Sequence, residues 1–269
     1  MNQSERRLYL IGELLKEREE YASIQIPVSS SQQKQLLRAL MNVRMPSAIS
    51  KEFLNVQDAY LQQEIQERGI VDEKDIPALE DGICIWQGDI TGLKCDAIVN
   101  AANSGMTGCY VPNHKCIDNC IHSFAGIQLR LECEKLMQEQ GYEEAVGKAK
   151  ITNAYNLPCR YVIHTVGPVI YRMVTVNDEK LLASCYESCL ELADENNLES
   201  IAFCCISTGE FHFPNRRAAQ IATETVKNYK KKNTHIKKVI FNVFKDEDLE
   251  IYEQLLGKNG KAAPGTGRM

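Results

Sequence analysis

Residues 97–103, Ala97-Ile98-Val99-Asn100-Ala101-Ala102-Asn103, open on an uninterrupted apolar run and end in polar residues. A short strand with no solvent-facing side belongs in a sheet covered on both faces. Working outward, Ile83-Cys84-Ile85-Trp86 reads as the preceding strand, with Gly88-Asp89-Ile90-Thr91 after it. Downstream, the pattern predicts a helix over 117–140 and strands over 148–153 and 161–166, the second stopped by Gly167-Pro168. A helix over 179–196, a strand over 201–206, the turn Ser207-Thr208-Gly209, a helix over 215–231, a strand over 239–244 and a helix over 246–256 follow. Strands alternating with helices predict an α/β/α sandwich.

Residues 1–78 have a different texture. Leu8, Ile11, Leu14 and Leu15 recur at helical spacing, as do Leu36, Leu37 and Leu40, then Phe53, Leu54, Tyr60, Leu61 and Ile65. This stretch carries no strong strand signal and no catalytic constellation. Its apolar stripes need a surface, so a helical extension is expected to pack on the core spanning 79–257. The Gly- and Lys-rich tail, 258–269, is expected to be disordered.

The 269 residues carry 31 Lys and Arg against 36 Asp and Glu, a net charge of −5. That balance argues against a nucleic-acid binder that works by neutralising phosphates. The sequence contains no window of about 18 uninterrupted apolar residues. The N-terminus lacks the apolar stretch of a signal peptide, so a cytoplasmic protein without a membrane partner is expected. Most of the eleven cysteines lie in apolar runs, where a reduced thiol behaves as a small hydrophobe, and no disulfide is expected.

Between the Asn-rich strand end and the helix start, Cys109, His114 and Cys116 crowd into eight residues. Two thiolates and one imidazole suit a single Zn²⁺, and the spacing is too tight for a two-knuckle finger. Three protein ligands leave one tetrahedral position for water or substrate, as catalytic zinc sites do. The alternative is a structural zinc closed by Cys120 or His122. Asp118, at the helix start, is placed to cap backbone N–H groups.

In such sheets, ligands bind outside the carboxyl ends of the strands. Gly88-Asp89, Asn100 to Asn103, Gly167-Pro168 and 207–211 all follow strand ends, so they can converge on one crevice. Gln87 to Thr91, Ile98 to Asn103, Val162 to Pro168 and Ile206 to Gly209 together resemble the macrodomain family of ADP-ribose binders. The likeness covers 83–256 and implies a three-layer α/β/α fold with a central mixed sheet, here preceded by the helical extension. Where common macrodomain hydrolases carry a glycine-rich loop, this chain has Cys109 to Cys116, and the usual helix start survives as Ile117-Asp118-Asn119-Cys120-Ile121-His122. That departure is similar to the zinc-dependent bacterial macrodomains, which also carry an N-terminal helical extension.

The resemblance implies one zinc on Cys109, His114 and Cys116, and removal of mono-ADP-ribose from modified proteins. It opposes the enzyme to a sirtuin-type ADP-ribosyltransferase acting on a lipoylated glycine-cleavage-H-like carrier. Asn103 and Asp118 would face the distal ribose and orient the reacting group; an Asx-type turn is the other reading of Asn103. Asp89 would accept from the adenine amine, with Ile90 beside it, whereas alone it would be read as a turn former. Ser207, Thr208, Gly209, Glu210 and Phe211 would cradle the diphosphate through backbone amides, needing no basic side chain. Glu210 is expected to turn its carboxylate away or toward the metal region. Phe211 flanks the diphosphate or packs in the core, and Asn242 and Phe244 would sit beside adenine. Two other readings remain: an ADP-ribose-binding module with a purely structural zinc, and an O-acetyl-ADP-ribose deacetylase.

Overall fold

The computed structural model describes residues 1–257, so the expectation for the 258–269 tail lies outside them. Helices α1 (Gln3–Lys16), α2 (Ser30–Val43) and α3 (Lys51–Arg68) come first, before the strand β1 (Val71–Asp72). Then follow β2 (Ile83–Gln87), β3 (Leu93–Lys94), β4 (Ala97–Ala102), α4 (Ile117–Ala125), α5 (Ile127–Gln140), β5 (Ala149–Asn153) and β6 (Tyr161–Val166). The chain closes with α6 (Val176–Glu195), β7 (Ser200–Phe203), α7 (Asn215–Tyr229), β8 (Lys238–Val243) and α8 (Asp246–Leu256).

Six strands form the central sheet in the order β2-β8-β7-β4-β6-β5. Every neighbouring pair is parallel except β5 against β6, so the sheet is mixed. All residues of β4 but Ala101 are buried, which is why its sequence lacks alternation. A single core of Ile98, Val99, Ile163, Ile201, Phe203, Ile240 and Phe241 with the flanking helices fills both sides.

The helices of the extension bury their own apolar cluster, with Leu10, Leu14, Leu37, Phe53 and Tyr60 at its centre, and it reaches Ile127 at the start of α5. Both α2 and α3 pack against α4. The continuous helix expected over 117–140 is two helices. Gly126 breaks it at φ 99°, and Gln57 of α3 enters the break, its Oε1 accepting from the Ile127 amide at 3.0 Å. A Cβ at Gly126 would sit 2.6 Å from Gln57 Nε2, so the turn needs glycine for both conformation and room. The strand expected over 201–206 stops at Phe203, because the chain already turns toward Ser207, which has φ 64°.

Candidate active site

A cleft of about 1030 Å³ opens at the carboxyl ends of β2, β4, β7 and β8, at the upper end of the sizes of small-molecule and cofactor sites. Asp89, Ile90, Asn103, Cys109, His114, Cys116, Asp118, 207–211, Asn242 and Phe244 all line it. Gly167-Pro168 does not reach the cleft. Gly167 instead lies behind Ser207, where any Cβ would collide with the serine side chain.

At one end, the ligand atoms of Cys109, His114 and Cys116 all lie within 4.8 Å of one another. Cys109 Sγ is 3.7 Å from His114 Nδ1. Tetrahedral zinc with ordinary bond lengths holds a sulfur and a nitrogen about 3.6 Å apart, so the donor set fits that ion. Burial pushes the Cys116 thiol up to about 12, and a cation bound there would be needed to keep it ionised at neutral pH. Neither candidate for a closing fourth ligand joins the trio. Cys120 Sγ accepts a hydrogen bond from Arg38 Nη2 at 3.3 Å, and His122 clusters with Cys133 and His164. Glu210 turns toward this end, its Oε1 3.6 Å from His114 Nε2.

Beside the trio, Asp118 is buried, and its carboxylate is gripped by two amides. Asn100 Nδ2 donates to Oδ1 at 2.8 Å and Asn103 Nδ2 to Oδ2 at 3.3 Å. Burial raises its carboxyl to about 6, against the lowering effect of those hydrogen bonds. Asp118 does not cap α4: Cys116 occupies the cap position and its Sγ accepts from the Asn119 amide at 3.4 Å. Asn103 makes the Asx-type turn, its Oδ1 accepting from the Gly105 amide at 3.0 Å, and lines the cleft as well. His122 is buried with its Nε2 3.6 Å from Asp118 Oδ1, and neither ring nitrogen has a hydrogen-bond partner among the described residues.

In the loop after β7, Ser207 and His212 take positive φ, and the turn closes by Phe213 N donating to Ser207 O at 2.9 Å. The Gly209, Glu210 and Phe211 amides donate to no acceptor among the described residues, and the buried Ser207 hydroxyl is unpartnered there too. Such a run of free amides suits an anion. Asp89, also on the cleft wall, receives Thr91 N and Oγ1 on Oδ1 and Arg68 Nη1 on Oδ2. Phe244 is 58% exposed on the cleft rim, while Trp86 is core.

Sequence reasoning missed the extension's contribution. Arg38, Asn42 and Arg68 reach the site from α2 and α3, and Arg130 of α5 donates to Met41, Asn42, Arg44 and Thr107 carbonyls, joining the end of α2 to the ligand-bearing loop. The one sequence signal was a polar residue beside each apolar helical stripe, which solvated faces also produce.

Residues 99–222 match the family model described as Macro domain. A Treponema medium protein named protein-ADP-ribose hydrolase is 56% identical over 260 residues, covering 95% of this chain and 100% of that protein. A Staphylococcus aureus (strain MSSA476) protein of the same name is 49% identical over 255 residues, covering 94% and 96% respectively. Among solved structures, a Trypanosoma brucei macrodomain in complex with ADP-ribose aligns with a TM-score of 0.63 and 29% identity, covering 82% of this chain and 95% of that one. No helix among the described residues is long and apolar enough to cross a membrane. With the mixed sheet, the strand-end cleft and near-full-length relatives at this identity, the chain belongs to the Macro domain family.

Proposed function

We propose that this chain is a protein-ADP-ribose hydrolase that removes single ADP-ribose units and depends on one zinc ion. The observation that carries the zinc reading is the opening of Cys109, His114 and Cys116 into the same cleft as Asn103 and Asp118. Adenine sits against Asp89 and Ile90, and the diphosphate takes the 209–211 amides and the Ser207 hydroxyl. The distal ribose then falls between Asn103, Asp118 and the thiolate end. Zinc bound there supplies Lewis acidity to that end of the ligand. Asn103 orients the ribose hydroxyls, and the Asp118 carboxylate, fixed by Asn100 and Asn103, takes a proton from the water as the water oxygen bonds to the anomeric carbon and the bond to the protein-side oxygen breaks. Asp118 then returns that proton to the departing oxygen. On this reading residues 1–78 are an extension of a macrodomain spanning 79–257. The sirtuin-type transferase and the lipoylated glycine-cleavage-H-like carrier rest on the resemblance alone.

The test is release of ADP-ribose from a mono-ADP-ribosylated protein by the wild type, by chelator-stripped protein and by Cys116→Ala. Loss of several kcal/mol of charge stabilisation lowers the rate on the order of 10²–10³-fold in the last two. Full activity without metal would sink the zinc dependence. A wild type that binds ADP-ribose but releases none from protein would make the chain a binding module.

A further inference from the structure

We propose that the N-terminal helices are part of the active site through two positioning residues: Arg38 of α2 sets the ligand-bearing loop, and Arg68 of α3 sets Asp89. The inference rests on the proposed reading of the cleft and adds to it the chain segment in which sequence showed no chemistry.

Arg38 Nη2 donates to the carbonyl of His114 at 2.8 Å, to Asn119 Oδ1 at 3.0 Å and to Cys120 Sγ at 3.3 Å. Asn119 in turn donates its amide to the carbonyls of Cys109 and Val111. One guanidinium and one amide therefore tie together the stretches that carry Cys109 and His114. Asn42, one turn along α2, adds a third hold, its Oδ1 accepting from the Asn113 amide at 2.9 Å. The same guanidinium occupies Cys120, a thiol that also lines the cleft.

Arg68 Nη1 of α3 reaches Asp89 Oδ2 at 3.1 Å and Thr91 Oγ1 at 3.3 Å. A carboxylate offers about four lone pairs. Thr91 uses two on Oδ1 and Arg68 one on Oδ2, which leaves one acceptor position on Oδ2 for an exocyclic amine in the cleft.

Both guanidinia lie over the Phe124 ring, with Arg68 Cζ 3.8 Å and Arg38 Cζ 5.6 Å from its centroid. The Nε–H of each is buried without a partner among the described residues. Two like charges beside one ring, each with an unsatisfied donor, are a poor way to fasten a helical appendage. Their terminal nitrogens, however, end on two separate groups that line the cleft, the His114 stretch and Asp89.

The experiment uses the full chain with Arg38→Met and Arg68→Met, which keep an apolar stem against Phe124, and Arg68→Lys, which restores a cation near Asp89. Zinc per chain is followed during titration with a chelator, and AMP, which carries adenine but no distal ribose, is the nucleotide probe. Arg38→Met is expected to release zinc at about tenfold lower chelator concentration, with AMP affinity unchanged. Arg68→Met is expected to raise the AMP Kd about tenfold with zinc retained, and Arg68→Lys to recover most of that loss. The crossed pattern supports positioning. Variants that move both readouts alike, or neither, overturn it. A wild type without zinc refutes the zinc dependence and the Arg38 half with it, while the AMP readout still decides Arg68. A wild type that binds no AMP refutes the nucleotide reading of the cleft and the Arg68 half.

Discussion

Among the described residues, two sets of cysteine and histidine side chains are close enough together to hold a metal, and they differ in what they have left to give. Cys109, His114 and Cys116 are half-buried at the rim of the cleft, whereas His122, Cys133 and His164 are buried behind it. In the buried set, Asn100 Nδ2 donates to His164 Nδ1 at 3.1 Å, which puts the ring proton on Nε2, where it donates to Thr152 Oγ1 at 2.9 Å. Both nitrogens are thereby spent, and burial lowers the His164 pKa to about 3, keeping the ring neutral. Burial also raises the Cys133 thiol far above its ordinary value. His122 keeps free nitrogens, but one ligand is not a site. Proximity and residue type are common to both sets; an open approach belongs only to the rim, and in the buried set His122 alone keeps unpartnered nitrogens.

Asn100 stands between the two sets, donating to His164 on one side and to Asp118 on the other. If the chemistry lies wholly on the rim side, Asp118→Asn, which keeps the shape and removes the proton acceptor, should lower the rate of ADP-ribose release on the order of 10²–10⁴-fold. Zinc content should stay at the wild-type value. A rate within threefold of wild type would leave the carboxylate with no part in the chemistry, and would move the search for the proton acceptor elsewhere in the cleft.

A smaller effect tests the buried set directly. Cys133→Ser puts a hydroxyl where a thiol 3.8 Å from His164 Nε2 now packs, and a buried hydroxyl without a good partner costs roughly 1–3 kcal/mol. The expected outcome is a lower Tm with an unchanged zinc stoichiometry. Loss of zinc from this variant, with zinc retained in Cys116→Ala, would invert the comparison and make the buried set the metal site.

The rim set was legible in the sequence because its chemistry is local: three candidate ligands of two types within one loop, flanked by a strand end and a helix start. The convergence of Asp89, Asn103 and 207–211 was legible too, since parallel strands deliver their carboxyl ends to one side of a sheet. The positions of Arg38, Asn42 and Arg68 were not, because their partners are far along the chain; Arg38 meets His114 across 76 positions. Helical spacing says which face of α2 is apolar, but not what its polar margin will touch. The break at Gly126 was hidden because apolar periodicity continues on both sides of it, and only the neighbouring α3 reveals why the glycine is needed. The cap of α4 was assigned to the residue with the better capping propensity, Asp118. The structure gives it to Cys116, because the carboxylate is already engaged with Asn100 and Asn103.

Glu210 offers the finest test of how open the rim site is. The sequence reading turns its carboxylate away from the diphosphate or toward the metal region; in the structure it ends 3.6 Å from His114 Nε2 with 70% of its side chain exposed. That nitrogen is the one facing away from Cys109, whose sulfur approaches Nδ1. On the proposed reading this carboxylate lies outside the ligand set, and an exposed contact of this kind is worth little in water. Glu210→Gln keeps the length and removes the charge, so the rate of ADP-ribose release should change by less than about threefold, the scale of an exposed ion pair, with zinc held as in the wild type. If the variant instead lost zinc as readily as Cys116→Ala, Glu210 would be a fourth ligand supplied by the phosphate loop. The rim set would then have no spare position, and its difference from the buried set would reduce to access alone.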